Sequence, residues 1–126
     1  MIFKLHTSSE TQQIFEEINA SIHLQPFALC KIAISLALRN QAKLELKDFF
    51  NNNNGLELNR QTITGEYDDL FKALILMNEE KNINDEEYFP KYLKAYIDKG
   101  AKLLYSEFKY SNGKFYQHIL SLEKSI

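Results

Sequence analysis

Three observations predict a mainly α fold for this chain. Apolar residues recur at helical spacing along most of its length, one period-2 stretch lies at the start, and no Pro-, Gly- or Ser-rich linker interrupts it. The expectation is a compact helical domain with a short N-terminal strand. With 126 residues, 44% hydrophobic and 25% charged, the chain suits one folded domain spanning 1–126. Within it, residues 1–40 read as strand-helix-helix, 41–65 as a connector and motif loop, and 66–126 as a helical remainder.

Residues 2–7 alternate, with Phe3 and Leu5 on one face and Lys4 and His6 on the other, as in a short half-buried strand. Such a strand needs a partner, so it lies as an arm or pairs with another chain. Ser8 or Ser9 suits the cap of a first helix whose apolar face is Ile14, Phe15, Ile18 and Ile22. Pro26 suits the first position of a second helix, because its missing N–H would be unpaired there anyway. That helix is apolar almost all round, from Leu29 and Cys30 to Leu38, and needs wrapping that oligomerisation, as a dimer or tetramer, can supply.

Residues 42–50 read as a short helical segment, and 51–55 as an Asn-rich loop closed by Gly55. Thr62 or Thr64 is placed to cap a third helix, with Glu66, Asp68 and Asp69 in its first turn and Tyr67, Leu70, Phe71, Leu74, Ile75 and Met77 on its apolar face. A long helix is expected from near Pro90 to about Phe108 or Tyr110. Tyr92, Leu93, Tyr96, Ile97, Leu103, Leu104 and Phe108 share one side of it, opposite a lysine stripe at Lys91, Lys94, Lys99, Lys102 and Lys109. A turn over 111–113 and a short helix over 115–122 complete the reading.

Charge is unevenly spread although the formal net is only −2. Residues 1–60 balance, 61–90 carry two basic and eight acidic residues, and 91–126 carry seven basic and three acidic. The last third suits a polyanion and the middle third repels one. No stretch approaches the 18 or more apolar residues of a membrane span, and residues 1–6 lack the apolar run of a signal peptide. One cysteine, Cys30, leaves no intrachain disulfide and fits a reducing cytoplasm. In an apolar helix its thiol is expected to be buried and inert.

His6, His23 and His118 show no metal-ligand spacing, and Walker, dinucleotide and nucleophile-elbow signatures are absent. No catalytic residue, metal or cofactor is therefore expected. Glu66, Asp68 and Asp69 are the acids that a magnesium-assisted nicking activity would use, although their place in a first helical turn already explains them. Arg60 could fork onto a phosphate, or pair with Glu57, Glu66 or Asp69 and lock the loop to the third helix.

The string Gly55-Leu56-Glu57-Leu58-Asn59-Arg60-Gln61-Thr62-Ile63-Thr64-Gly65-Glu66 resembles the signature of the DndE family of DNA phosphorothioation systems. Leu24-Gln25-Pro26-Phe27-Ala28-Leu29-Cys30-Lys31-Ile32-Ala33 looks like that family's apolar second helix. Tyr92-Leu93-Lys94-Ala95-Tyr96-Ile97-Asp98-Lys99-Gly100 looks like its later helix, where a basic residue precedes glycine. The three blocks lie in the family's order and cover residues from about 3 to 108. Lys31 and Lys99 stand where arginine is expected more often, and lysine would not reproduce a bidentate contact.

The resemblance implies an accessory subunit that binds duplex DNA backbone, nicked DNA in particular, and presents it to sulfur-transferring partner subunits. DNA contacts are expected from Lys4, Lys31, Arg60, Lys91, Lys94, Lys99, Lys102 and Lys109. Residues 2–39 also look like a ribbon-helix-helix unit, in which two chains pair their strands. A nicking endonuclease and a ribbon-helix-helix regulator or scaffold are the rival readings.

Overall fold

The computed structural model describes residues 2–40 and 46–111. Residues 112–113 of the expected turn, the helix at 115–122 and His118 lie outside the described residues, as do residues 42–45 of the expected helical segment at 42–50, whose remainder holds a 3₁₀ turn at Leu46–Phe49.

The fold is mainly α with a two-stranded sheet. Strand β1 (Lys4–His6) leads into helix α1 (Ser9–Ile22) and helix α2 (Pro26–Arg39). After a 3₁₀ turn at Leu46–Phe49 come strand β2 (Glu57–Asn59), one-turn helix α3 (Arg60–Ile63) and, beyond a 3₁₀ turn at Gly65–Tyr67, helix α4 (Asp68–Glu79). A short helix α5 (Asp85–Glu87) runs through a π-helical turn (Tyr88–Leu93) into α6 (Lys94–Ser111).

The N-terminal strand finds its partner in the same chain. β1 pairs antiparallel with β2, Leu5 opposite Leu58, and both leucines point into the core. The strand-helix-helix order is therefore present, but the interchain ribbon expected of a ribbon-helix-helix unit is replaced by an intrachain one. Residues 57–59 form a strand inside the expected motif loop, since three residues show too little alternation to signal one. Flanking bonds extend the pairing: Thr7 N–H donates to the Leu56 carbonyl at 2.9 Å, and Gly55 N–H donates to the Thr7 carbonyl at 2.9 Å.

Ser8 caps α1, its Oγ accepting from Thr11 N–H at 3.1 Å, while Ile14, Phe15 and Ile18 turn inward. His23 ends α1 in the left-handed region, φ 61°, and Pro26 opens α2. α1 and α2 meet at a bend of 114°. Among the described residues no single helix is long and apolar enough to cross a membrane.

Helix α2 is wrapped chiefly by α6. Leu29, Cys30, Ala33, Ile34 and Ala37 are fully buried there with Ile97, Ala101 and Leu104. The crossing is so close that a Cβ on Gly100 would lie 1.8 Å from the Ala33 carbonyl oxygen. Glycine is thus required on α6 at that point, which accounts for Gly100.

The long helix also differs from expectation at its start. It begins at Asp85, where the Asn84 side chain accepts from Glu87 N–H at 2.9 Å, and Pro90 falls inside it. Proline offers no N–H and crowds the preceding turn, and the π-helical turn at Tyr88–Leu93 accommodates it. Tyr88, Phe89, Tyr92 and Leu93 of that turn are core residues.

Candidate nucleic-acid interface

The central signature is largely structural. Gly55 has no room for a side chain, since a Cβ would lie 2.1 Å from the Ser8 carbonyl oxygen. Asn59 caps α3, its Oδ1 accepting from Gln61 N–H at 2.9 Å. Gly65 holds φ +52°, a left-handed conformation that favours glycine.

Arg60 is 5% exposed and sits at the centre of an ion triad. It donates two bonds to Asp85, Nη1 to Oδ2 at 3.0 Å and Nη2 to Oδ1 at 2.6 Å, and a third from Nη2 to Asp68 Oδ2 at 2.6 Å. Nη1 also donates to the Ile2 carbonyl at 2.9 Å, and the guanidinium lies over the rings of Tyr88 and Phe89. Asp68 Oδ1 accepts from Thr64 Oγ1 at 2.6 Å and from the Tyr88 hydroxyl at 3.2 Å.

These bonds set the charges. Burial opposes ionisation of Asp68, but hydrogen bonds from Arg60 and Thr64 outweigh it and hold the carboxyl below its ordinary range. The Arg60 hydrogen bonds lower Asp85 as well, and those to Asp85 raise Arg60 further. Burial pushes the Tyr88 hydroxyl up, so it stays a donor.

Arg60 therefore locks the motif to α4 and α5, as the structural alternative expected, although its partners are Asp68 and Asp85 rather than Glu57, Glu66 or Asp69. Both oxygens of Asp68 are committed to protein donors. Among the described residues no group of three or more His, Cys, Asp or Glu is arranged to hold a metal ion.

A second interior pair lies on α6. Lys94 and Asp98, 1% and 2% exposed, bond to each other one turn apart. Lys94 Nζ also donates to the Phe49 carbonyl. Asp98 Oδ1 accepts from Ser8 N–H at 3.0 Å and from Thr11 Oγ1 at 2.6 Å, so it holds the N-terminus of α1.

Two of the residues expected to contact DNA, Arg60 and Lys94, are instead buried, their charges paired with carboxylates and bonded to the Ile2 and Phe49 carbonyls. The remaining lysines of the stripe are more accessible. Lys91 is exposed and lies over the Phe50 ring, 4.4 Å from its centroid. Lys102 lies over the Phe49 ring and 3.6 Å from Glu10. Together with Lys94, these two lysines clasp the segment at Phe49 and Phe50. Lys109 pairs with Glu17 at 3.1 Å, and Lys99 is half-buried with no ion pair to a described residue.

Lys4, on β1, pairs with Glu57 at 2.9 Å, and His6 reaches the other oxygen of Glu57 at 3.3 Å. Lys31 is exposed on α2 beside Phe27. It borders a shallow depression with Thr62, Gly65, Glu66 and Tyr67. Cys30 is buried, and desolvation pushes its thiol up to about 12, which leaves it unreactive.

Sequence reasoning missed Asp85 and Asp98. Asp85 lies 25 residues beyond Arg60, and no spacing rule connects them. The four-residue spacing of Lys94 and Asp98 was visible, but it is the same spacing that an exposed helical pair would have.

The fold resembles that of a solved protein, the crystal structure of DndE from Escherichia coli B7A involved in DNA phosphorothioation modification. The TM-score is 0.65 at 14% identity, covering 82% of this chain and 98% of that one. No curated protein sequence matches the chain. The family model for DndE, DNA sulphur modification protein, matches residues 4–112, a span that takes in β1, the Arg60 motif and all of α6. On that match the chain belongs to the DndE family.

Proposed function

We propose that this protein is an accessory subunit of DNA phosphorothioation that binds duplex backbone, preferring a nick, and holds it for the subunits that transfer sulfur. The family places the chain in DNA sulphur modification. One observation carries the DNA contact. The outward side of the helix from Asp85 to Ser111 presents Lys91, Lys102 and Lys109, while its inward side is core. Lys102 and Lys109 lie two turns apart, roughly 10 Å at 1.5 Å per residue. Lys99 extends the set on the same helix, whereas Lys31 borders the depression with Glu66 and Tyr67, and Lys4 is paired with Glu57 on the sheet.

Glu10 and Glu17 of α1 partly neutralise that side through exposed pairs with Lys102 and Lys109. Exposed pairs of this kind are weak, at about 0–1 kcal/mol, so a phosphate can displace them. The bound DNA replaces each carboxylate with a phosphate oxygen and releases counterions.

The test is an equilibrium titration with matched intact and nicked duplexes at two salt concentrations, with the recovered DNA checked for strand breaks. Wild type is expected to prefer the nicked duplex and to leave it uncut. Lys91→Ala/Lys102→Ala/Lys109→Ala should reduce the salt slope by about 0.9 for each phosphate that a lysine no longer neutralises. Glu10→Gln/Glu17→Gln should bind more tightly. Equal affinity of wild type and the triple lysine variant would overturn the assignment of this face.

A further inference from the structure

Helix α4 carries an apolar stripe that its own fold leaves uncovered. Leu70 and Met77 are 56% and 74% exposed, and Leu74 between them is 38% exposed. Spacings of four and three residues place all three within an arc of about 60° at 100° per residue. Tyr67, also exposed, continues the stripe at its N-terminal end. The opposite side of the helix is occupied: Ile75 is fully buried, Asp68 holds Arg60, and Asn78 and Glu79 bond the Tyr96 hydroxyl. Helix α4 is therefore fixed in place with anchor positions i, i+4 and i+7 facing outward, the pattern by which a helix seats in an apolar groove.

The charge around the stripe decides what covers it. Glu66 and Asp69 are exposed beside Tyr67 and Leu70, while Asp68 and Asp85 are engaged by Arg60 and Glu79 by Tyr96 on the other side. DNA is repelled from such a surface. A second copy would bring the same acids against themselves, and like charges juxtaposed across an interface are costly.

We infer that the α4 face docks a protein subunit of the phosphorothioation system through an apolar groove rimmed by lysine or arginine. This rests on the proposed role as an accessory subunit. It assigns the two sides of the molecule different partners, the lysine side to DNA and the α4 side to protein.

The experiment uses the full chain and the other subunits of its own system, each purified and titrated separately by calorimetry. Two variants are compared with wild type: Leu70→Ser/Met77→Ser and Glu66→Lys/Asp69→Lys. All four side chains are exposed, so circular dichroism should stay at wild-type values. The melting temperature should do so in Leu70→Ser/Met77→Ser and fall only slightly in Glu66→Lys/Asp69→Lys, which loses first-turn acids. One subunit should bind wild type, and each variant should weaken that binding by about tenfold or more, as expected when anchors or complementary charges are removed. Binding to nicked duplex by the isolated chain should persist in Leu70→Ser/Met77→Ser. Light scattering should give the same mass for wild type and both variants.

Three results would overturn the inference: no subunit binding wild type, unchanged subunit binding in both variants, or loss of self-association in Leu70→Ser/Met77→Ser. The last result would assign the face to a second copy. Loss of DNA preference with subunit binding intact would instead sink the DNA-holding role and leave the α4 interface standing.

Discussion

Helices α2 and α4 each carry three leucines, yet the structure uses them in opposite ways. α2 crosses α6 so closely that glycine is required at position 100, and its inner residues are fully buried. α4 buries Ile75 fully and leaves Leu70, Leu74 and Met77 exposed. Apolar content alone therefore does not separate a core helix from an interface helix. The separation comes from what the rest of the chain lays against each one.

The comparison can be broken most severely at the α2–α6 side. Gly100→Ala should force the helices apart, because the new Cβ would meet backbone atoms of Ala33 rather than a yielding side chain. A loss of about 3 kcal/mol or more is expected from urea unfolding, at the upper end of overpacking effects. Lys94→Ala should cost about 3–5 kcal/mol, the range for removing one partner of a buried ion pair. It strands Asp98, which also holds Ser8 and Thr11.

Arg60→Ala should destabilise by about 3 kcal/mol by the same reasoning, somewhat less than Lys94→Ala because Asp85 is partly solvated. The acid limb of stability should report the triad. Asp68 and Asp85 have folded pKa values below their unfolded values. Their contribution is therefore complete above the unfolded carboxyl value of about 4 and is lost as pH falls through the depressed folded values. Asp68→Asn should flatten the fall in stability below about pH 4, measured by urea unfolding across that range.

The smallest effect is expected on α4. Leu70→Ser and Met77→Ser should each change stability by no more than about 0.5 kcal/mol, as exposed substitutions do. A larger loss in the isolated chain would show that the stripe is packed after all and would remove the contrast with α2.

Much of this protein was legible in its residues. The period-2 start, the Ser8 cap, Pro26 at the head of α2 and the apolar faces of α1, α2 and α6 followed from spacing and local chemistry, which the chain enforces within a few residues. The family resemblance was legible in the Arg60 motif. The site was legible only in part. Lys91, Lys102 and Lys109 are on the surface as a helical wheel suggests, whereas Lys94, on the same stripe, is interior because the segment at Phe49 and Phe50 folds over it.

By itself the sequence determined β1, the helices α1 and α2, most of α6 and the apolar faces of those helices, because helix periodicity, capping and proline act locally. Tertiary structure alone decided that β1 pairs with β2, that Asp85 reaches Arg60 across 25 residues, and which lysines and leucines face water. Those outcomes depend on contacts between residues far apart in the chain, and no local pattern encodes the distance at which such residues meet.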